Sequence, residues 1–128
     1  MKVNKFPFVI LKACRPRQWT KNLLVFASPL AAFQIFDIFL IKNLLVALIS
    51  FCLISSAIYL INDVYDYKFD KHHPSKKFRP IAAGILSRKS AIIFSLIITI
   101  LSLLFSASHS VLLSLIVSLY LLIQLFYT

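Results

Sequence analysis

Four apolar runs divide the chain, and they cover residues 19–35, 38–61, 91–107 and 111–127. A helix that crosses a bilayer needs about 20 residues, with a lower limit of about 17. The second run exceeds this length, and the other three reach the lower limit. The first run begins at Trp19, a residue type that is enriched where a helix meets the membrane surface. The pattern therefore predicts four transmembrane helices.

Basic residues are concentrated in two segments. Of the 14 Lys and Arg residues, all but Lys42 lie either before residue 22 or within residues 62–90. Because Lys and Arg favour the cytoplasmic side of a membrane protein, we expect the N-terminus and the 62–90 loop to be cytoplasmic in a multi-pass protein of the cell (inner) membrane. The net charge of +10 could also attract nucleic acid, but helices of bilayer length argue against nucleic acid as a partner.

An acidic motif follows the second apolar run. Three of the four acidic residues, Asp63, Asp66 and Asp70, lie within eight positions. If the second helix continues to about residue 70, then at about 100° per residue Asn62, Asp66, Asp70 and Asp63 project at about 0°, 40°, 80° and 100°. All four side chains then share one face, which extends towards the membrane through Tyr59.

This clustering of carboxylates has two interpretations. Carboxylates that share a low-dielectric site repel each other, so they need a counter-cation. Oxygen-only ligands suit Mg²⁺, which keeps bound water and often takes further ligands from substrate phosphates. The motif therefore favours a site for Mg²⁺ and a diphosphate over a metal cage made of protein alone. The alternative is a solvated helix end at which the Asp residues pair with Lys68 and Lys71.

Basic side chains near the motif are candidate phosphate ligands. The loop after the motif carries Lys76, Lys77 and Arg79; Lys offers a point charge and Arg a planar fork for phosphate oxygens. The alternative role of this loop is to bind anionic lipid. In the N-terminal segment, Arg17 and Lys21 lie one helical turn apart, and the composition leaves phosphate binding and interfacial anchoring equally open for them.

The motif Asn62-Asp63-x-x-Asp66-x-x-x-Asp70 resembles the first Asp-rich motif of the UbiA superfamily of intramembrane prenyltransferases. Three stretches resemble, more narrowly, its decaprenyl-phosphate phosphoribosyltransferase branch: RPRQWTKNLLVFASPLAA (15–32), SSAIYLINDVYDYKFDKHHPSKKFRPIAAG (55–84) and LYLLIQLFYT (119–128). The resemblance implies an all-α integral membrane fold, a UbiA-like transmembrane helical bundle whose backbone groups are satisfied within helices. The family bundle has about nine transmembrane helices, of which about four would be present here.

The resemblance also implies how the chain is organised. Family members bind Mg²⁺ and a diphosphate through two Asp-rich motifs, and the second motif lies between later helices. No acidic residue follows Asp70, so residues 1–128 are expected to form the N-terminal part of a UbiA-like domain. The remaining helices of a larger enzyme would then be needed for activity.

The same resemblance implies roles for individual residues. Asn62, Asp66 and Asp70 would be catalytic and would hold Mg²⁺ and the diphosphate, with Asp63 as an additional metal ligand. Phosphates of the soluble donor would bind Lys76, Lys77 and Arg79. A phosphate of the lipid acceptor would contact Arg17 and Lys21, and Tyr59 would line the cavity.

The branch implies a reaction in which a polyprenyl phosphate attacks C1 of phosphoribosyl diphosphate and diphosphate leaves. One alternative is a UbiA enzyme that moves a prenyl group from a prenyl diphosphate to an aromatic or glycerol-phosphate acceptor. The RPRQWTKN stretch favours phosphoribosyl transfer. A second alternative is a non-catalytic membrane module that binds ions or supports assembly.

Overall fold

The structure is a computed structural model that describes residues 5–128, and these residues form helices joined by turns and loops, with no β-strand among them. In chain order, the elements are α1 (Phe6–Ala13), a first 3₁₀ helix (Pro16–Phe26), α2 (Ala27–Ala31), α3 (Ile38–Tyr65), α4 (Tyr67–Asp70), a second 3₁₀ helix (Lys76–Phe78), α5 (Arg88–His109) and α6 (Val111–Tyr127).

In the described part of the chain, two helices are long and apolar enough to cross a membrane. They are α3, with 28 residues, and α5, with 22. Asp37 caps the start of α3, because its side chain accepts hydrogen bonds from the backbone N–H groups of Phe39 and Leu40;. The apolar helix α6 has 17 residues and is shorter. Within residues 5–128, two helices therefore exceed 20 residues and α6 reaches the lower limit of about 17, so the number of spans predicted, four, stays a prediction.

The first apolar run differs from its prediction. In place of one α-helix over residues 19–35, a 3₁₀ helix of 11 residues continues into α2, which has five. A 3₁₀ helix longer than about four residues is uncommon. Two features interrupt α-helical geometry here: Arg15 has a left-handed backbone (φ 54°) just before Pro16, and Pro29 has no N–H group to donate within α2.

Small side chains bring α3 and α5 into close contact. Ser95 and Ser102 of α5 are buried, as is Ala91. The Ser95 hydroxyl donates to the carbonyl of Ala57 at 3.0 Å, and the Ser102 hydroxyl donates to the carbonyl of Ser50 at 2.8 Å. Small residues let helix backbones approach each other within a membrane, and hydrogen bonds between helices satisfy their polar atoms.

A separate apolar cluster joins α3 to α6. Ile54 and Ile58 of α3 pack with Val117 of α6, and all three are buried. The rings of Phe51 and Tyr120 meet edge to face with their centroids 5.5 Å apart. Aromatic pairs in this arrangement are favourable beyond the area that they bury. Helices α5 and α6 both pack on α3, which is therefore the central helix of the described part.

A third cluster packs the N-terminal segment and the 71–87 loop against the end of α3. Trp19 packs against this cluster, and its indole N–H donates to the Ser56 hydroxyl at 3.0 Å. The buried members of the cluster are Ala13, Cys14, Leu60, Ile81, Leu86 and Ala91. These contacts hold three segments that are distant in sequence beside the acidic motif.

The acidic motif does not lie on one unbroken helix. Helix α3 ends at Tyr65, and Asp66 (φ −83°, ψ 0°) joins it to the single turn α4. The predicted continuation to about residue 70 is therefore interrupted at Asp66. Backbone hydrogen bonds still cross the bend, because Asp66 N–H donates to the Asn62 carbonyl and Asp70 N–H donates to the Asp66 carbonyl. The motif is therefore divided between two helical segments that backbone hydrogen bonds connect.

Candidate functional site

Two arginines and two aspartates form an ion-pair cluster at the end of α3. Oδ1 of Asp63 accepts hydrogen bonds from Nη2 of Arg15 and, at 3.2 Å, from Nη1 of Arg79. The same Arg79 nitrogen donates to Oδ2 of Asp70 at 2.8 Å. The aspartate side chains are buried, whereas about a quarter of each arginine side chain is exposed. We refer to Arg15, Asp63, Asp70 and Arg79 as the arginine–aspartate cluster.

The cluster joins separate segments of the chain. Arg15 precedes the first 3₁₀ helix and is 48 positions from Asp63, in the last turn of α3. Arg79 follows the second 3₁₀ helix and is 16 positions beyond Asp63. The Arg15 guanidinium also lies 5.0 Å from the centre of the Tyr59 ring, a cation–π contact;. The N-terminal segment and the loop after α4 are thus both tied to α3 by charge.

This pairing changes the electrostatic picture drawn from the sequence. Two guanidinium groups balance the charges of Asp63 and Asp70, so those carboxylates have counter-cations from the chain itself. The expected alternative partners are not used, since Lys71 donates to the Tyr67 hydroxyl at 2.5 Å and Lys68 is exposed. Within residues 5–128, the half-buried Asp66 side chain forms no ion pair or hydrogen bond.

Oxygen donors for a metal ion are present, but they do not form a complete cage. Residues 5–128 contain no group of three or more His, Cys, Asp or Glu side chains that could hold a metal ion together. Mg²⁺ is commonly held by one or two carboxylates together with substrate phosphates and water. Asp66 and the Asn62 amide, one turn earlier, fit that requirement. The Asn62 amide oxygen accepts a hydrogen bond from the Thr128 hydroxyl at 2.8 Å.

A small basic cavity lies against the arginine–aspartate cluster. It has a volume of about 220 Å³ and is lined by Lys12, Arg15, Asp63, Ser75, Phe78, Arg79 and Pro80. Three of these side chains are cationic and one is anionic, so the lining has a net positive charge. A cavity of this size and charge suits a phosphate or diphosphate group.

A larger cavity of about 710 Å³ adjoins the N-terminal segment. Its lining consists of Phe8, Leu11, Lys12, Arg15, Pro16, Arg17 and Gln18. Apolar and basic side chains therefore face the same space, a combination that suits an amphiphile with an anionic headgroup. Lys12 and Arg15 line both cavities, so the two spaces meet at these cations.

The predicted site residues occupy different places. Arg79 belongs to the cluster, Tyr59 lies beside it, and Arg17 lines the larger cavity. Lys21, Lys76 and Lys77 are exposed and line neither cavity.

Two site residues, Arg15 and Lys12, were not singled out from the sequence. Arg15 lies inside the RPRQWTKN stretch, but its partner Asp63 is 48 positions away. A pairing across that distance leaves no periodic signal.

Two titratable groups near the site have altered acidity. Burial raises the pKa of the Cys14 thiol, which therefore stays protonated and acts as a core residue;. The hydrogen bond from Lys71 lowers the pKa of the Tyr67 hydroxyl. The Arg88 guanidinium lies 4.8 Å from the centre of the same ring. Tyr67 of α4 is thus in contact with Arg88, the first residue of α5.

Comparisons with known proteins agree with this architecture. The family model described as the UbiA prenyltransferase family matches residues 23–128. A decaprenyl-phosphate phosphoribosyltransferase of Corynebacterium glutamicum is 43% identical over 122 residues, which cover 92% of this chain and 37% of that protein. The protein of the same name from Mycolicibacterium smegmatis is 41% identical over 124 residues, or 92% of this chain and 38% of that protein.

A third relative is the nodulation protein NoeC of Azorhizobium caulinodans, which is 42% identical over 84 residues, 65% of this chain and 27% of that protein. The chain thus spans less than two-fifths of the length of each of these three relatives. The match of the family model and the identity to the two phosphoribosyltransferases show that the chain belongs to the UbiA prenyltransferase family.

Proposed function

We propose that the protein with this sequence transfers phosphoribose from phosphoribosyl diphosphate to a polyprenyl phosphate. The observation that supports this most directly is the basic cavity beside the Asp-rich motif, which Lys12, Arg15 and Arg79 line together with the paired carboxylate of Asp63. The identity of the donor rests on the name of the relatives in Corynebacterium and Mycolicibacterium. Both substrates carry phosphate groups, which explains why a single site would need several fixed cations.

In this proposal, Asn62, Asp66 and Asp70 hold Mg²⁺ together with the diphosphate of the donor. Bound Mg²⁺ would neutralise the negative charge that develops on the departing diphosphate. Asp66 is the best placed of these residues, because within the described part of the chain its carboxylate has no competing cation. Oδ2 of Asp70 accepts a hydrogen bond from Arg79. If Asp70 binds the metal ion, Arg79 therefore lies close to the same diphosphate.

The chain's own cations bind and orient the two substrates. Arg79 donates to phosphate oxygens of the donor from the small cavity, and Lys76 and Lys77 add positive charge from the loop before it. Arg17 holds the phosphate of the lipid acceptor in the larger cavity, with Lys21 on the same segment. An oxygen of that phosphate attacks C1 of the ribose, the bond from C1 to the diphosphate oxygen breaks, and diphosphate leaves with the electron pair.

The membrane setting follows from the family. The UbiA family is an integral membrane family, and α3 and α5 fit that description. We place the protein in the cell (inner) membrane, with the N-terminus and the 62–90 loop in the cytoplasm, because nearly all of the basic residues lie there. The soluble donor would then reach the site from the cytoplasm, and the acceptor would reach it from the lipid.

The test is a transfer assay on membranes that contain the full-length gene product. Radiolabelled phosphoribosyl diphosphate and a polyprenyl phosphate are added, and label in the lipid extract is measured with and without a chelator. We expect label in the lipid fraction that requires Mg²⁺. No label from phosphoribosyl diphosphate, together with product from a prenyl diphosphate and an aromatic acid, would establish the prenyl-transfer alternative instead.

A further inference from the structure

We propose that Asp63 is a positioning residue, which holds the Arg15 and Arg79 guanidinium groups at the small cavity, and that it is not a ligand of Mg²⁺. This inference rests on the proposed function, since it assigns different roles to neighbouring residues of one acidic motif. In this division, Asp66 faces the metal ion and Asp63 organises the cations that bind the diphosphate.

The bonding of Asp63 supports the first part of this inference. Its side chain is 2% exposed, and its Oδ1 atom already accepts hydrogen bonds from two guanidinium groups. A guanidinium group does not lose its proton in a protein, so neither partner can become neutral to release the carboxylate. A Mg²⁺ ion at Asp63 would approach a carboxylate whose charge two permanent cations already balance, whereas Asp66 has no such partner among the described residues.

The arrangement of the two arginines supports the second part. Arg15 and Arg79 are 64 positions apart (79 − 15), and a single oxygen atom of Asp63 accepts from both. Without this shared anion, two like charges would repel each other across the cavity. Each arginine side chain stays about one-quarter exposed, and both line the cavity. A guanidinium has five N–H donors, so each keeps donors for an anion while it is bound to Asp63.

The test measures the affinity for inorganic diphosphate in the presence of a chelator, by calorimetry on the purified full-length protein in lipid nanodiscs. Diphosphate bound under these conditions reports on the arginines and not on the metal ion. We expect Asp63→Asn to weaken this binding about tenfold or more, because the charge that holds both guanidinium groups is lost. The matched control Asp66→Asn should bind diphosphate as tightly as the unaltered protein, or more tightly.

A magnesium titration of the same variants gives the complementary result. Asp66→Asn should raise the Mg²⁺ concentration needed for half-maximal diphosphate binding about tenfold, whereas Asp63→Asn should change that concentration by less than about twofold. The proposal is overturned if Asp63→Asn alters the Mg²⁺ requirement as strongly as Asp66→Asn does. It is also overturned if the unaltered protein binds no diphosphate in chelator, or if Asp63→Asn leaves that binding unchanged.

A double variant tests whether Asp63 acts through Arg15. If it does, Asp63→Asn combined with Arg15→Gln should weaken binding about as much as the stronger single variant, because residues in one network do not act additively. Losses that multiply would show that the two residues act independently, against the proposal. If Asp63→Asn does not accumulate in membranes, the variant to use is Asp63→Glu, which keeps the charge but displaces both arginines. Weaker diphosphate binding in chelator with an unchanged Mg²⁺ requirement supports the proposal. A raised Mg²⁺ requirement contradicts it.

These results do not depend on the choice of donor. Inorganic diphosphate is the leaving group of phosphoribosyl diphosphate and of prenyl diphosphates alike. If the transfer assay favours prenyl transfer, the division of roles between Asp63 and Asp66 still stands or falls on the binding data. If the binding data contradict it, phosphoribosyl transfer remains testable by the assay described above.

Discussion

At the scale of single residues, Asp66 is distinguished by what it lacks. Its neighbours Asp63 and Asp70 are paired with arginines. Within residues 5–128, the Asp66 side chain has no ionic or hydrogen-bonding partner. An uncompensated carboxylate beside two compensated ones is the position at which an added cation would gain the most electrostatic energy.

We therefore expect Asp66→Asn to lower turnover of the full-length enzyme at least about a hundredfold, as is typical when a group that stabilises developing charge is removed. Membrane insertion should be unaffected, because the substitution keeps the size of the side chain and removes an unpaired charge. The measurement is the initial rate of phosphoribosyl transfer, normalised to the amount of protein in the membrane fraction.

The control for this prediction is Lys68→Ala, two positions away and exposed. Its rate should stay within about twofold of the unaltered enzyme, since exposed side chains seldom contribute more than a few tenths of a kcal/mol. A near-normal rate for Asp66→Asn would contradict the role of Asp66. Equal damage from the two substitutions would show that the effect comes from the bend at α4 and not from the carboxylate.

The sequence was sufficient to locate the acidic motif but not to find its partners. Helical periodicity predicted that Asp63 and Asp70 share a face, and in the structure one nitrogen of Arg79 donates to both carboxylates. It could not reveal the ion pair between Arg15 and Asp63, which depends on how the N-terminal segment packs against α3. Local patterns describe neighbours within an element, whereas this partner comes from another element.

At the scale of elements, the interface between α3 and α5 depends on buried serines. Ser102 is fully buried and donates to the carbonyl of Ser50. We expect Ser102→Leu to destabilise the protein by about 1–3 kcal/mol, because extra methylene groups must be accommodated in a packed interface. Ser102→Ala loses one interhelical hydrogen bond and should cost about 0.6 kcal/mol. In detergent, the unaltered protein should therefore have the highest melting temperature. Ser102→Ala should melt at a lower temperature, and Ser102→Leu should have the lowest melting temperature of the three.

Ser108→Leu is the matched control, since Ser108 lies on the same helix and is exposed. Its melting temperature should remain close to that of the unaltered protein. If Ser102→Leu is equally harmless, then α3 and α5 do not pack through this face in solution, and the described interface is wrong.

Element boundaries show what hydropathy can and cannot predict. Helix α6 covers residues 111–127, as the apolar run suggested. The first run instead forms a 3₁₀ helix and α2, because Arg15, with its left-handed backbone, and Pro29 set the local geometry. Apolar content measures whether a segment avoids water; it does not measure which hydrogen-bonding pattern its backbone adopts.

At the scale of the whole molecule, the proposed orientation makes the 71–87 loop accessible only from the cytoplasm. Helix α5 has 22 residues and is about 33 Å long at 1.5 Å per residue, so its two ends would lie on opposite faces of the membrane. We expect Ser75→Cys, in the exposed loop before α5, to react with an impermeant thiol reagent only after the cells are opened. Cys14 and Cys52 are first replaced by Ala, so that the added thiol is the one measured.

Ser108→Cys, at the other end of α5, supplies the reciprocal measurement. It is exposed and should react in intact cells. The reverse pattern, with Ser75→Cys labelled in intact cells and Ser108→Cys labelled only in opened ones, would invert the orientation and move the proposed donor site out of the cytoplasm.

The arginine–aspartate cluster also has a consequence for the order of events during biosynthesis. A ribosome releases the chain from its N-terminus onwards, so Arg15 emerges first, Asp63 follows 48 positions later, and Arg79 emerges 16 positions after that. Arg15 is therefore made before its anion, and the ion pair with Asp63 can form only when the end of α3 has been made. The proposed diphosphate site would be incomplete until the loop that carries Arg79 has been translated, so the proposed affinity for diphosphate would be acquired at a definite moment in the maturation of the nascent chain.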